Sequence, residues 1–86
     1  MKVLAGGTYE SMCGNVVELT TVTQDLVLGG RVVPEVVSGR IVKAIAGHET
    51  LIGRTHHFNP EGKWLNSDGV TVERCIHDLN AAVKTP

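Results

Sequence analysis

Closely spaced turn signals divide this chain into short runs that are rich in Val, Ile and Thr. The clearest signals lie in the central stretch 53–69. Residues 59–62, Asn-Pro-Glu-Gly, place Asn at the opening of a turn, Pro where φ is preset and Gly where φ is positive, so they predict a hairpin tip. Residues 67–69, Ser-Asp-Gly, predict the next turn. Because β-branched residues favour strands, we expect a mainly β fold.

Strand signals continue on both sides of this stretch. Tyr9 lies on a short strand that is expected to form a hairpin with residues 16–23. Gly29-Gly30 predicts a tight hairpin turn of the primed type, and Pro34 ends the following strand or places it on a sheet edge. Residues 36–45 are the longest strand candidate.

Residues 50–58 predict the strand before the central hairpin tip, with 63–66 as its partner. Alternation along this strand puts His56 and His57 on opposite faces of the sheet. The last part of the chain has a different pattern, because apolar residues occur at helical spacing, namely Ile76, Leu79, Ala82 and Val83. This spacing predicts a short C-terminal helix that must dock on the sheet. Residues 84–86 are expected to fray.

The length of 86 residues allows one β-rich domain, 1–86. A chain of this size buries only about 60–65% of the surface that its unfolded form exposes. Aromatic residues make up 3% of the chain, so the core has few bulky side chains. Additional burial between copies would compensate, and we therefore expect a homo-oligomer.

Charge and hydropathy exclude several classes of partner. The net charge is −1 and the Lys and Arg residues are scattered, so the chain lacks the basic patch typical of nucleic-acid binding. The apolar runs are too short for a membrane span, and no signal segment opens the chain. We expect a cytoplasmic protein that binds neither nucleic acid nor membrane.

The cysteines and histidines raise the question of a metal site. Cys13 and Cys75 are expected to be reduced thiols, since no secretion signal is present. Cys75 and His77 share one strand face by spacing, and His56 with His57 would supply enough further ligands for zinc. The chain has neither a Cys-x-x-Cys nor a His-x-x-x-His pattern, and the prediction is no metal. Glycine-rich phosphate loops are also missing from the sequence, and no cofactor is expected.

A pattern of turn and strand residues occurs near both ends of the chain, at Gly6, Gly7, Tyr9, Ser11, Gly14, Val16, Val17, Gly62, Lys63, Trp64, Asp78 and Leu79. This pattern resembles that of a loose class of small bacteriophage and prophage accessory proteins. Met12 stands where that class has Arg, and the segment 70–77 is longer than the corresponding segment in that class. The resemblance implies a non-enzymatic protein with a small, strongly bent antiparallel sheet or an SH3-like barrel. Such a protein acts in the host cytoplasm by binding, and it either blocks a host protein or sequesters a nucleotide signal of the host defence.

The sequence is compatible with three functions from different classes. In a nucleotide-sequestering protein, Arg31, Arg40 or Arg54 contacts phosphate and an aromatic ring stacks on the base. The predicted ligand-binding residues are Tyr9, Arg40, Arg54, His56, His57 and Trp64. The alternative for each arginine is a solvated surface charge, and for Tyr9 and Trp64 it is a place in the core.

The second function is an inhibitor that covers a host protein, for example by lending a strand edge. The third is a small hydrolase or a metal-binding protein. An enzyme would draw an acid–base pair from Glu49, Glu61, Asp68, Glu73 and Asp78, or would use His56, His57 or His77 as a base for Cys75 or Ser67. No motif brings these residues to one place, so the prediction is a non-enzymatic protein, with sequestration favoured over inhibition.

Overall fold

One antiparallel sheet contains all the strands in the described part of the chain. The structure is a computed structural model that describes residues 2–83. The strands are β1 (Thr8–Ser11), β2 (Val16–Leu28), β3 (Arg31–Lys43), β4 (Thr55–Phe58), β5 (Trp64–Leu65) and β6 (Leu79–Ala82), in the spatial order β5-β4-β3-β2-β1-β6. The mainly β prediction is therefore confirmed. The expectation for residues 84–86 falls outside the described residues.

The sheet bends until its two edges approach each other. β5 and β6 are the outermost strands, yet the backbone N–H of Leu79 donates to the carbonyl oxygen of Gly62 over 2.8 Å. The backbone N–H of Trp64 donates to Asp78 Oδ1, also over 2.8 Å. Across residues 2–83 these contacts do not extend into a ladder between β5 and β6, so the sheet stays open. The bent sheet is observed, and the alternative of a closed barrel is not.

A long hairpin of β2 and β3 forms the centre of the sheet. Gly29 and Gly30 have φ of 57° and 79°, and both central residues of a type I′ turn need positive φ, so the primed turn is confirmed. Pro34 lies inside β3 and does not end the strand. It lies on an open edge, because β4 pairs only with Val37–Arg40 of β3. The longest strand is therefore Arg31–Lys43 instead of 36–45.

One turn geometry occurs three times, and Asn59 and Asn66 open two of the copies. The N–H of each opening residue donates to the carbonyl four positions on (2.9 and 3.1 Å), and the following Gly62 or Gly69 donates back over 2.9 Å. Each Asn Oδ1 also accepts two backbone N–H groups within its own turn. Ser11 opens the third copy, and its Oγ takes the place of the amide oxygen. Both turns predicted in the central stretch are thus confirmed.

The predicted C-terminal helix is wrong. Residues 75–78 form a turn, in which Asp78 N–H donates to the Cys75 carbonyl over 3.2 Å, and β6 follows directly. β6 pairs with β1 through Tyr9↔Ala82 and Glu10↔Ala81. A helix this short is unstable alone. Pairing with β1 instead satisfies the hydrogen bonds of a strand edge that would otherwise be open.

The strand predicted at 50–58 begins only at Thr55. Glu49–Leu51 is a single 3₁₀ turn, and Gly53 with φ of 87° reverses the chain before β4. None of the helical turns in residues 2–83 is long and apolar enough to cross a membrane.

The core lies on the concave face of the sheet. Phe58 and Leu19 are fully buried there, and Tyr9 is 7% exposed, with its hydroxyl accepting the N–H of Leu4 over 3.0 Å. The main cluster consists of Val3, Tyr9, Val17, Leu19, Val37, Ile41, Phe58 and Leu79. A smaller cluster of Val33, Val36 and Leu65 lies under the β2–β3 hairpin.

Candidate functional site

Three aromatic rings meet at the rim of this core. The ring centroids of His56 and Trp64 are 5.9 Å apart, and the centroid of His77 lies 5.2 Å from each of them. The planes are tilted or edge-on, which is the usual arrangement of contacting rings. All three side chains are partly exposed. We call these residues the aromatic cluster.

Strand alternation brings His56 and Trp64 to this place. His56 and Phe58 are two residues apart on β4, so they share the concave face. Trp64 is the cross-strand partner of Phe58 and faces the same side. The ring of His56 lies 6.3 Å from that of Phe58, which joins the aromatic cluster to the core.

The contacts of its chain neighbour Asp78 hold His77 in the aromatic cluster. Asp78 is 8% exposed, and its Oδ1 accepts the N–H of Trp64, while its Oδ2 lies 3.6 Å from Lys63 Nζ. These contacts of the carboxylate hold the 75–78 turn against β5. His77, which directly precedes Asp78, therefore lies beside Trp64. The sequence pattern suggests His77 only as a base or a metal ligand. Its place beside Trp64 depends on contacts across the two sheet edges, which no local pattern reveals.

The histidines of the aromatic cluster are neutral at neutral pH. Burial, followed by the charges of His77, His57 and Arg54, lowers the pKa of His56 from 6.5 to about 4. Burial, assisted by the charge of His48, also lowers the pKa of His77, although Asp78 opposes this shift. Neutral imidazole rings present a flat face and a free nitrogen lone pair, so the cluster suits stacking and hydrogen bonding better than ion pairing.

The predicted ligand-binding residues divide into three groups. His56 and Trp64 come together in the aromatic cluster, and exposed Arg54 lies near enough for its charge to affect His56. Arg40 and His57 lie on the opposite face of the sheet, as the register Arg40↔Thr55 and Ser38↔His57 requires. Tyr9 is in the core. A small ligand that stacks on the aromatic cluster can therefore contact the first group but not Arg40, His57 or Tyr9.

His57 has its own partner on the opposite face. Its Nδ1 lies 2.6 Å from Ser38 Oγ, a short hydrogen bond on a cross-strand pair. Burial lowers the pKa of His57 as well. The prediction that His56 and His57 point to opposite sides is confirmed by these separate neighbours.

The Lys63–Asp78 pair also lines a cleft of ≈ 640 Å³. The walls of the cleft carry both basic and acidic side chains, together with a few apolar side chains. They are formed by Met12, Glu61, Lys63, Glu73, Arg74, Cys75, Asp78 and Leu79. The cleft thus brings together three of the carboxylates considered for acid–base chemistry, while Glu49 and Asp68 lie elsewhere.

The fold separates the residues that the sequence suggests as zinc ligands. Cys75 is buried and its Sγ accepts the N–H of His77 over 3.4 Å, while His57 faces away from His56. Within residues 2–83, no group of three or more His, Cys, Asp or Glu side chains is placed to hold a metal ion. Both cysteines are free thiols.

Comparison with known proteins adds no relative to this picture. No protein-family model, no curated protein and no solved structure matches the chain.

Proposed function

We propose that this chain is a non-enzymatic, phage-type accessory protein that binds a nucleotide-type small molecule at the aromatic cluster and thereby withholds a host defence signal. The observation that carries the proposal is the contact of His56, Trp64 and His77 at distances of 5.2–5.9 Å between ring centroids. Stacking of a base on such rings contributes about 1–3 kcal/mol per base.

The charges around the aromatic cluster fit the phosphate part of such a ligand. Arg54 is exposed and close enough for its charge to lower the pKa of His56, and the exposed Lys63 directly precedes Trp64 in the chain. Asp78 neutralises part of the Lys63 charge at 3.6 Å, which leaves Arg54 as the stronger candidate for a phosphate contact. Neutral histidines complement the base without repelling the arginine. In this proposal Arg54 binds phosphate and the three rings bind the base.

The biological setting belongs to the same proposal. Action in the host cytoplasm and counter-defence follow from the resemblance to phage accessory proteins. A homo-oligomer follows from the thin core, and exposed apolar side chains such as Leu4 (60%), Met12 (60%) and Ile52 (50%) are consistent with burial between copies.

Native mass spectrometry of gently purified protein, with and without cyclic and ADP-ribose-type nucleotides, tests the proposal. We expect a complex that carries one nucleotide per site, with quenching of Trp64 fluorescence in a parallel titration. Trp64 is the single tryptophan, so the optical signal reports on this site alone. Arg54→Ala and His56→Ala should abolish binding and leave the melting temperature nearly unchanged.

Arg40→Ala is the matched control, since it removes an exposed arginine from the opposite face of the sheet. It should leave nucleotide binding intact. Loss of binding in Arg40→Ala but not in Arg54→Ala would place any ligand on the other face. A bare protein that takes up no nucleotide from the whole panel would refute sequestration.

A second candidate function, inhibition of a host protein, is favoured by the exposed end of the β2–β3 hairpin. β1 pairs only with Val16–Glu18, so in the described chain residues 20–28 of β2 have no strand on their outer side. Val27 and Val32 are cross-strand partners there and are 60% and 59% exposed. An open edge beside an apolar pair can accept a strand from another protein.

Val27→Lys tests this second function in a pull-down from host lysate. The charge should break a complex that forms along the edge of β2, while the folded state loses little because the side chain is exposed. Ile52→Lys is the matched control, because it places the same charge on another exposed apolar residue. An equal effect of both variants, or none of either, would remove this edge from consideration.

A further inference from the structure

The cleft lined by the Lys63–Asp78 pair contains none of the residues assigned to the nucleotide. Three segments that are far apart in the chain form its walls. Met12 follows β1, Glu61 and Lys63 lie in the turn between β4 and β5, and the remaining residues belong to the segment 73–79. The cleft volume of ≈ 640 Å³ falls within the range of about 300–1,000 Å³ that is typical of small-molecule sites. A ligand of the size of a short peptide therefore fits.

One carboxylate oxygen in the cleft has no hydrogen-bond donor among residues 2–83. Asp78 is 8% exposed, and its Oδ1 accepts the backbone N–H of Trp64. Oδ2 has only the ion pair with Lys63 Nζ at 3.6 Å, and that lysine is itself exposed. A nearly buried carboxylate oxygen is costly to leave without a donor. Because Asp78 lines the cleft, a ligand with an ammonium group can donate to Oδ2.

Arg74 adds an unpaired positive charge to the same cleft. Its guanidinium is exposed, and no carboxylate of the described residues lies within ion-pair distance of it, although Glu61 and Glu73 also line the cleft. The φ of 55° at Arg74 lies in the left-handed region, which disfavours a residue with a Cβ. A free guanidinium binds a carboxylate through two parallel N–H donors. The position of Arg74 thus suits the anionic end of a ligand.

The mixture of charges in the cleft decides the class of ligand. Its lining contains the carboxylates Glu61, Glu73 and Asp78 and the basic groups Lys63 and Arg74. A purely anionic ligand would face three carboxylates, and a purely cationic ligand would face two basic groups. A ligand that carries one charge of each sign at separate ends pairs with both kinds of side chain.

We propose that this cleft binds a short zwitterionic peptide with apolar side chains. The guanidinium of Arg74 binds the terminal carboxylate of the peptide. Asp78 Oδ2 accepts a hydrogen bond from the terminal ammonium, and the carboxylates of Glu61 and Glu73 add to its attraction. Met12 is 60% exposed, and its flexible thioether packs on the peptide side chains. This proposal does not depend on nucleotide binding.

The dipeptide Leu-Leu is the probe, and ¹H–¹⁵N NMR titration of the full chain is the measurement. We expect saturable shifts of the backbone amides of Met12 and of residues 73–79, with the amides of the β2–β3 hairpin unchanged. N-acetyl-Leu-Leu lacks the ammonium, and Leu-Leu amide lacks the carboxylate. Each should bind about tenfold more weakly, since the loss of one hydrogen bond between charged groups costs about 1.4 kcal/mol.

Arg74→Gln should weaken the binding of Leu-Leu at least about tenfold, because the fork of donors to the carboxylate is lost. Arg74→Gly guards against a folding defect. Glycine adopts a positive φ without steric cost, so this variant should melt no lower than the wild type and still bind the dipeptide weakly. Arg31→Gln is the matched control, since it removes an exposed arginine that does not line the cleft, and it should retain the wild-type affinity.

Three results would overturn the proposal. The first is the absence of amide shifts at millimolar Leu-Leu, or shifts confined to residues outside the cleft. The second is equal affinity for Leu-Leu and its two capped forms. The third is unchanged affinity in Arg74→Gln and Arg74→Gly. Nucleotide binding is tested separately through Arg54→Ala, so either proposal can fail while the other holds.

Discussion

Replacement of Gly39 by Ala is expected to destabilise the protein by about 3 kcal/mol, the upper end of the cost of an inserted methyl group. A Cβ at Gly39 would overlap the carbonyl oxygen of Glu18 and would lie 2.7 Å from both the Glu18 carbonyl carbon and the Leu19 Cα. All three atoms belong to the β2 backbone, so no side chain can move aside. Relief requires β2 and β3 to separate where Leu19 enters the core.

The close approach at Gly39 coincides with an irregularity of the sheet. The β2–β3 register shifts between Leu19 and Thr21, which leaves one extra residue on β2 opposite Gly39.

Gly30→Ala is the control that separates the steric cost of a Cβ from the cost of backbone conformation. A Cβ at Gly30 meets nothing within 4 Å, so only the positive φ of 79° disfavours alanine there. We expect about 1–2 kcal/mol for Gly30→Ala. Equal losses for the two variants in urea denaturation would show that backbone crowding at Gly39 is unimportant.

Acidification from pH 7 to pH 5 is expected to lower the free energy of unfolding through the histidines. The pKa of His56 is about 4 in the folded protein and 6.5 when the side chain is free, so the unfolded chain takes up a proton first. Stability is therefore constant above about pH 6.5 and falls as the pH drops towards 4. Linkage gives about 2 kcal/mol at pH 5, which partial exposure of the ring reduces to about 1 kcal/mol. His57 and His77 act in the same direction.

Urea denaturation at pH 7.5 and at pH 5 measures this effect. The difference between the two pH values should shrink in His56→Gln, because glutamine does not titrate. It should shrink further in the double variant His56→Gln/His77→Gln. Identical pH dependence in the wild type and in both variants would contradict the assignment of buried, neutral histidines to the aromatic cluster.

These histidines also connect stability to the proposed function. A stacked ligand that covers the aromatic cluster removes His56 and His77 further from water and favours their neutral forms still more. Nucleotide binding at this site should therefore be retained at neutral pH, where the rings carry no charge.

Local chemistry explains which parts of the fold could be predicted. The turns opened by Asn59 and Asn66 close through a side-chain oxygen and a glycine within four residues, so their signals are contained in short segments. The same holds for the type I′ turn at Gly29-Gly30 and for the opposite orientation of His56 and His57 on β4. Two of the six predicted ligand residues, His56 and Trp64, lie together because the hairpin tip at residues 59–62 fixes how β4 pairs with β5.

Contacts between segments that are far apart in the chain determined the rest of the fold. Leu79–Ala82 has helical spacing in the sequence, but an open edge of β1 converts it into a strand. The same docking anchors Asp78 to β5, which places His77 against Trp64, and the return of the chain after β3 places His48 beside Cys13. Turn positions and strand faces were therefore encoded in neighbouring residues. The open sheet in place of a closed barrel, and the position of His77 in the aromatic cluster, were decided only by tertiary structure, because the partners are far apart in the chain and meet through backbone hydrogen bonds that carry no side-chain signature.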